Sequence, residues 1–251
     1  MNNLIQSHLM SVARCPMFLN SCNTPCEKIV AYQHIHNKNL KQTPEPWNGD
    51  IENAKILFIS SNPSIDFNES YPTSAWTDNQ ISDFFVNRFS KQKKYVKNYL
   101  YPLQANGTYL NKNKWVRYWA AIRKLSQKLL AKENIEPGFD YAITEVVRCK
   151  SHKEIGVNEA MNTCSEKFLL ETLSLSNAKV FVVVGKQAKD AFQERFQEKI
   201  PEAYYTIIKI GEVERMILSV PHPNARCEKS LEKLFAPETI NEMILFVNKG
   251  C

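Results

Sequence analysis

The apolar and polar positions divide the chain into short buried runs and longer amphipathic stretches. Residues 56–59 read Ile-Leu-Phe-Ile and stop abruptly at Ser60-Ser61-Asn62-Pro63-Ser64. An unbroken apolar run predicts a strand buried on both faces, here over 54–60, and the small polar residues after it predict a tight turn. Similar runs predict strands at 141–147, 180–184, 205–210 and 216–220, with a turn at Gly211 and a stop at Pro221-His222-Pro223. Between them the spacing becomes helical. Trp115, Trp119, Ile122, Leu125 and Leu129 predict one helix, closed off before Pro137-Gly138. Val157, Ala160, Met161, Cys164, Phe168 and Leu169 share a face of a second. Gly185 opens a third, and 231–247 forms the last. A short helix is expected within 1–14, whereas 15–50 reads as an irregular segment holding cysteines. Strands alternating with helices predict an α/β fold, a three-layer sandwich around a mainly parallel sheet.

Composition narrows this picture a little. A chain of 251 residues that is 43% hydrophobic can bury a substantial core, and a single domain over 1–251 is the simplest division. No apolar run approaches the roughly 18–20 residues of a membrane span. The opening MNNLIQSHLMSVAR lacks the continuous apolar core of a secretory signal, so a cytoplasmic setting is expected. The formal net charge of +6 suits a polyanionic partner. Seven cysteines in a reducing compartment favour metal or cluster ligation over disulfides.

Two strand ends carry candidate chemistry: SSNPS at 60–64 and PHPNAR at 221–226. Both fall at the carboxyl edge of the sheet, where open α/β folds bind ligands. The first offers the Asn62 amide, which can hold a water. The second offers the His222 imidazole, which can donate to an oxygen that gains negative charge. Together they suit attack by water on a carbon whose leaving group departs as an anion.

These segments resemble the motifs of the uracil-DNA glycosylase superfamily. SSNPS is similar to its first motif, G-x-N-P-G, and His222-Pro223-Asn224 to its second, H-P-S. TEVVRC at 144–149 resembles T-N-V-V-x-C of the iron–sulfur branch. The resemblance covers about 54–226 and implies a four-stranded parallel sheet between helices. It implies a monofunctional DNA glycosylase that flips out a base, hydrolyses its N-glycosidic bond and leaves an abasic site, with DNA as partner and a monomer as the default. Asn62 would position the attacking water, with help from Asp66 or Glu69. His222 would stabilise charge on the base O2, and Ser61 and Ser64 would touch the base. Phe67, Tyr71 or Trp76 would stack on it. Asn224 and Arg226 would meet DNA, Arg226 by entering the duplex or binding phosphate. No lysine is placed by motif to form a Schiff base.

Two departures from the family bear on the substrate. Ser64 stands where uracil-strict members place a tyrosine that blocks C5 of the base. Glu145 stands where the iron–sulfur branch reads uracil with an asparagine. A carboxylate only accepts hydrogen bonds, so it suits the amino group of cytosine and opposes uracil O4. A Glu145 that is protonated or turned away would not discriminate in this manner. The expectation is a C5-modified cytosine, such as a modified base in phage DNA. The alternatives are uracil release in base-excision repair and a catalytically silent nucleic-acid-binding module.

The resemblance also implies a [4Fe–4S] cluster on Cys22, Cys26, Cys149 and Cys164, with Cys15 a rival for one place. The aromatic and basic stretch 76–101 fits either a DNA-facing surface or a core face with a solvated basic edge.

Overall fold

The computed structural model describes residues 2–36, 41–111, 113–197, 200 and 205–249. The chain opens with helices α1 (Asn3–Ala13), α2 (Pro16–Leu19) and α3 (Glu27–His36), then enters the sheet at β1 (Ile56–Ser60). Helix α4 (Asp78–Asn87), a short ribbon of β2 (Val96–Lys97) and β3 (Tyr101–Pro102), and helix α5 (Arg117–Leu129) lead to β4 (Tyr141–Glu145). Helices α6 (Val157–Cys164) and α7 (Leu170–Leu175) flank a π turn at Ser165–Leu169 and precede β5 (Val180–Val184) and α8 (Lys186–Phe196). The hairpin of β6 (Tyr205–Ile210) and β7 (Val213–Val220) is followed by α9 (Leu231–Leu234) and α10 (Pro237–Asn248).

Five strands form the main sheet in the order β4-β1-β5-β7-β6. The first four run parallel, as expected for the family, and β6 adds an antiparallel edge through its hairpin with β7. Strands β1, β4 and β5 are buried along their whole length, which is why they read as continuous apolar runs. One face holds Leu57, Ile59, Phe181 and Val183 under α1, α4, α6, α7 and α8. The other holds Ile56, Phe58, Val180 and Val182 under α5 and α10. The result is the three-layer sandwich predicted from the alternation.

The irregular reading of 15–50 needs correction, because α2 and α3 lie within it. Their signal was weak. α2 has four residues, and α3 buries Ile29, Val30 and Gln33 without a clean apolar stripe. Residues 42–50 remain without regular structure, yet they cover the free edge of β4. Asn48 exchanges both backbone hydrogen bonds with Ile143, and the Glu45 N–H donates to the Arg148 carbonyl. Trp47 is fully buried beneath them. An unpaired parallel edge is thereby closed, and Glu45 is carried towards the carboxyl end of the sheet.

The aromatic stretch divides in two. Phe84, Phe85 and Phe89 belong to the core, while Lys91 and Lys97 sit over the rings of Tyr99 and Tyr109 at the surface. The core-face reading holds for its first half.

Gly49 fixes this edge. Its φ is +105°, and a Cβ there would lie 2.6 Å from Gly138 Cα. We expect Gly49→Ala to cost about 2–4 kcal/mol, from strain and overpacking together. Urea unfolding checks this. A loss below about 0.5 kcal/mol, the range of an ordinary surface change, would contradict the close approach of the two glycine backbones.

Candidate active site

The carboxyl ends of β1, β4 and β7 meet at a cleft of about 330 Å³. Asn62, Ser61, Ser64, Glu145, His222 and Asn224 all line it. Residues chosen from three separate segments of the sequence thus converge on one place.

Asn62 is held in one orientation. Its Nδ2 donates to Ser151 Oγ at 2.7 Å and to the Pro63 carbonyl at 3.1 Å, and the Ser61 hydroxyl donates to its Oδ1 at 3.3 Å. The loop itself is clamped, because Ser151 N–H donates to Pro63 O and Ile65 N–H donates to Ser151 O. Both amide hydrogens are used, whereas Oδ1 keeps a second lone pair. That lone pair can accept a hydrogen from a water, which is the way an amide aims a water's oxygen at an electrophile.

His222 leaves β7 beside Gly185. This glycine has φ +87°, and a Cβ there would come within 3.1 Å of His222 Cβ. Gly185 is therefore a close-approach residue beside the imidazole. The Asn224 N–H donates to His222 Nδ1 at 3.2 Å. With Nδ1 accepting, the neutral ring carries its hydrogen on Nε2. Burial lowers the His222 pKa, with Glu154 working against it. The imidazole therefore stays neutral at physiological pH and offers one N–H donor.

Glu145 pairs with Ser60 in the parallel register of β1 and β4. The Ser60 hydroxyl donates to Glu145 Oε2, and the Tyr118 hydroxyl donates to Ser60 Oγ at 3.1 Å. Burial first, and the neighbouring Glu45 second, push the Glu145 pKa up to about 8. A carboxyl group pushed to that value favours its protonated form at pH 7, the alternative in which Glu145 carries a donor as well as an acceptor.

Four buried charged residues that also line the cleft, Glu45, Glu69, Arg88 and Lys150, form a closed set. Arg88 donates to Glu45 at 3.0 Å and to Glu69 at 2.5 Å, and Lys150 donates to Glu69 at 2.6 Å. Burial raises the Glu69 pKa, but Arg88 and Lys150 outweigh it and the net shift is downward. Glu69 is thus occupied as an anion by two cations and is not free to assist a water. Asp66 remains at the cleft wall, where it caps the Asn68 N–H at 2.9 Å.

The three aromatic residues expected to stack on a ligand do not reach the cleft. Tyr71 is buried under it, donating to Glu45 at 2.7 Å with Lys150 Nζ 3.8 Å above its ring. Trp76 packs edge-on against Phe84 at 5.9 Å. Phe67 lies beside Tyr32 at 6.3 Å. Tyr118 and Trp119 line the cleft instead, and the Tyr118 ring stacks on His222 at 5.9 Å with 16° between planes. Tyr118 sits beside the apolar stripe in the first turn of α5. A polar-tipped aromatic at that place was the available signal. Arg226 is exposed in the loop after His222 and does not line the cleft.

The cysteines also regroup. Cys15, Cys26, Cys149 and Cys164 line one small apolar cavity, and Cys22 is exposed. Cys22 therefore leaves the expected set and Cys15 takes its place. The Arg148 N–H donates to Cys164 Sγ at 3.3 Å. Hydrogen bonding to Cys149 lowers the Cys26 pKa, while the same bond and burial raise that of Cys149. Among the described residues no three Cys, His, Asp or Glu side chains close on a single ion. Four thiols lining one cavity are the donor type that an iron–sulfur cluster takes.

A family model described as the uracil DNA glycosylase superfamily matches residues 46–243. No curated protein matches the chain. The matched span runs from the edge-covering segment through both motif loops to α10, and the chain belongs to the uracil-DNA glycosylase superfamily.

Proposed function

We propose that this protein is a monofunctional DNA glycosylase acting on a flipped-out, C5-substituted cytosine. The observation that carries the chemistry is that Asn62 and His222 line one cleft. With its amide hydrogens committed, Asn62 holds a water through Oδ1 on the sugar side. His222 donates from Nε2 to the base O2 as electrons flow into the ring. A fixed neutral donor placed where charge develops contributes more than one that must reorganise. Tyr118, stacked on His222, keeps the imidazole in plane with its target.

Two features support the substrate. Ser64 is small and exposed on the cleft wall, which leaves C5 unobstructed. Glu145 presents an acceptor for the N4 amino group and an acid O–H for N3. Such bases would mark foreign DNA, so the activity fits defence against modified phage genomes. No described helix is long and apolar enough to cross a membrane. The exposed Arg226, in the loop after His222, would meet a phosphate.

Mixing the protein with duplexes carrying uracil, cytosine, 5-hydroxymethylcytosine or its glucosylated form, and identifying the freed base by mass spectrometry, tests the reading. We expect release of a 5-substituted cytosine, lowered about 10²–10³-fold by Asn62→Ala or His222→Ala, the scale of losing one preorganised group. Release of uracil alone would return the protein to base-excision repair. No release from any duplex would leave a silent binder.

Cys15, Cys26, Cys149 and Cys164 would hold a [4Fe–4S] cluster, with Arg148 and Lys167 beside them to offset its charge. The cluster would supply a structural clamp between the N-terminal helices and the segment after β4. Protein prepared without oxygen should contain iron and acid-labile sulfide in equal amounts. Cys15→Ala should lose them and Cys22→Ala retain them. Iron-free wild-type protein, or loss from Cys22→Ala alone, would overturn this ligand set.

A further inference from the structure

Glu145 holds an unusual position among the buried charged groups at the cleft. It is 4% exposed, lines the cleft, and no ion pair reaches it among the described residues. Two arginines lie nearby, and both are committed elsewhere. Arg88 is divided between Glu45, Glu69 and Asn48 Oδ1. Arg148 donates to the Pro46 carbonyl, Thr144 and Thr172. Lys150 serves Glu69. On the remaining sides stand the Glu45 carboxylate, the Tyr118 phenol and the neutral His222 ring, none of which supplies a positive charge. Of the two carboxyl oxygens, Oε2 accepts from Ser60, whose own oxygen accepts from Tyr118. This chain of hydroxyls points towards Oε2, so the acid hydrogen belongs on Oε1, which accepts from no described group.

We infer that Glu145 is a catalytic residue that donates its carboxylic proton to N3 of the departing base, and that this is what lets the site release a cytosine-type base. The inference rests on the function proposed above. Cytosine is a poorer anionic leaving group than uracil, because an amino group delocalises negative charge less well than a carbonyl. The His222 hydrogen bond alone answers charge on O2 but leaves the ring anionic. In the step assigned here the C1′–N1 bond breaks and its electron pair passes into the ring. The Glu145 proton moves to N3, and the base leaves as a neutral tautomer. The water held by Asn62 adds its oxygen to C1′ and sheds a proton to solvent. Glu145 regains a proton from solvent after the base has gone. Uracil already bears hydrogen on N3 and gains nothing from this transfer.

The sign of the pH dependence follows from the acid form being the active one. Turnover should hold steady at lower pH and fall as pH rises through the Glu145 value of about 8, tenfold per pH unit beyond it. Ser60 stabilises the charged form, so Ser60→Ala should move this limb to higher pH. The experiment is single-turnover release of a 5-substituted cytosine against pH, with wild type, Glu145→Gln and Ser60→Ala, and on a 3-deaza analogue of the same base that lacks N3. Glu145→Gln should lose about 10²–10⁴-fold in rate, abolish the alkaline limb, and leave binding of an abasic-site duplex unchanged. On the 3-deaza base the wild type and Glu145→Gln should be equally slow. A flat wild-type profile, an unshifted Ser60→Ala limb, or Glu145→Gln matching wild type on the N3-bearing base would overturn the proton donor and leave the glycosylase intact. Release of uracil alone would overturn the cytosine reading and this inference with it.

Discussion

Charge balance in the wall of the cleft is the constraint on which the site depends. Glu45 and Glu69 face Arg88 and Lys150, two anions against two cations, all but fully buried. Buried charges persist only when they are paired and hydrogen-bonded. The set is closed, so any charge added beside it has no counterion. Glu145 is that addition, set next to the anion Glu45, and burial and that neighbour push its pKa upward. The network need not stabilise the fold to matter. Its effect is to bias the protonation state of Glu145, a buried carboxyl at the cleft that no described cation pairs. Tyr71, which the sequence suggested as a stacking ring, is part of this foundation and holds Glu45 in place.

The sheet converts that constraint into geometry. Parallel pairing sets Ser60 of β1 opposite Glu145 of β4, and both side chains emerge one residue short of their turns. A slip of one residue would send Glu145 to the opposite face. Tyr118 reaches the same pair from α5, so three elements of the fold agree on the position of one hydroxyl. The chain of donors ends on Oε2, and the direction of hydrogen bonding in it is what assigns the acid hydrogen to the other oxygen.

The parts that sequence reading recovered are those governed by local pattern. Buried parallel strands announce themselves as apolar runs, and the residues just beyond them must lie at the carboxyl edge. Asn62 and His222 were therefore legible from two strand ends, whereas Glu145, inside the strand predicted over 141–147, was singled out by the resemblance of TEVVRC alone. The parts it missed depend on long-range packing. Whether an aromatic lines a cleft or supports it is decided by neighbours far away in the chain, as Tyr71 against Glu45 and Tyr118 against His222 show. Cys15 and Cys22 could not be ranked from spacing, because the turn of α2 buries the first and leaves the second in solvent. The state of Glu145 was hidden for the same reason: a carboxyl's charge depends on which cations are already taken.

The two proton-bearing groups of the cleft illustrate opposite uses of burial. Desolvation disfavours the charged form of either group. For His222 it lowers the pKa and yields a neutral donor that cannot lose its hydrogen to O2. For Glu145 it raises the pKa and yields a neutral acid that can part with its hydrogen. In the reaction proposed above, the imidazole answers developing charge by hydrogen bonding alone, while the carboxyl removes that charge by transfer. A uracil-releasing site would need only the first. Retaining a buried, unpaired acid costs folding free energy, and on the proposed function that cost returns as rate.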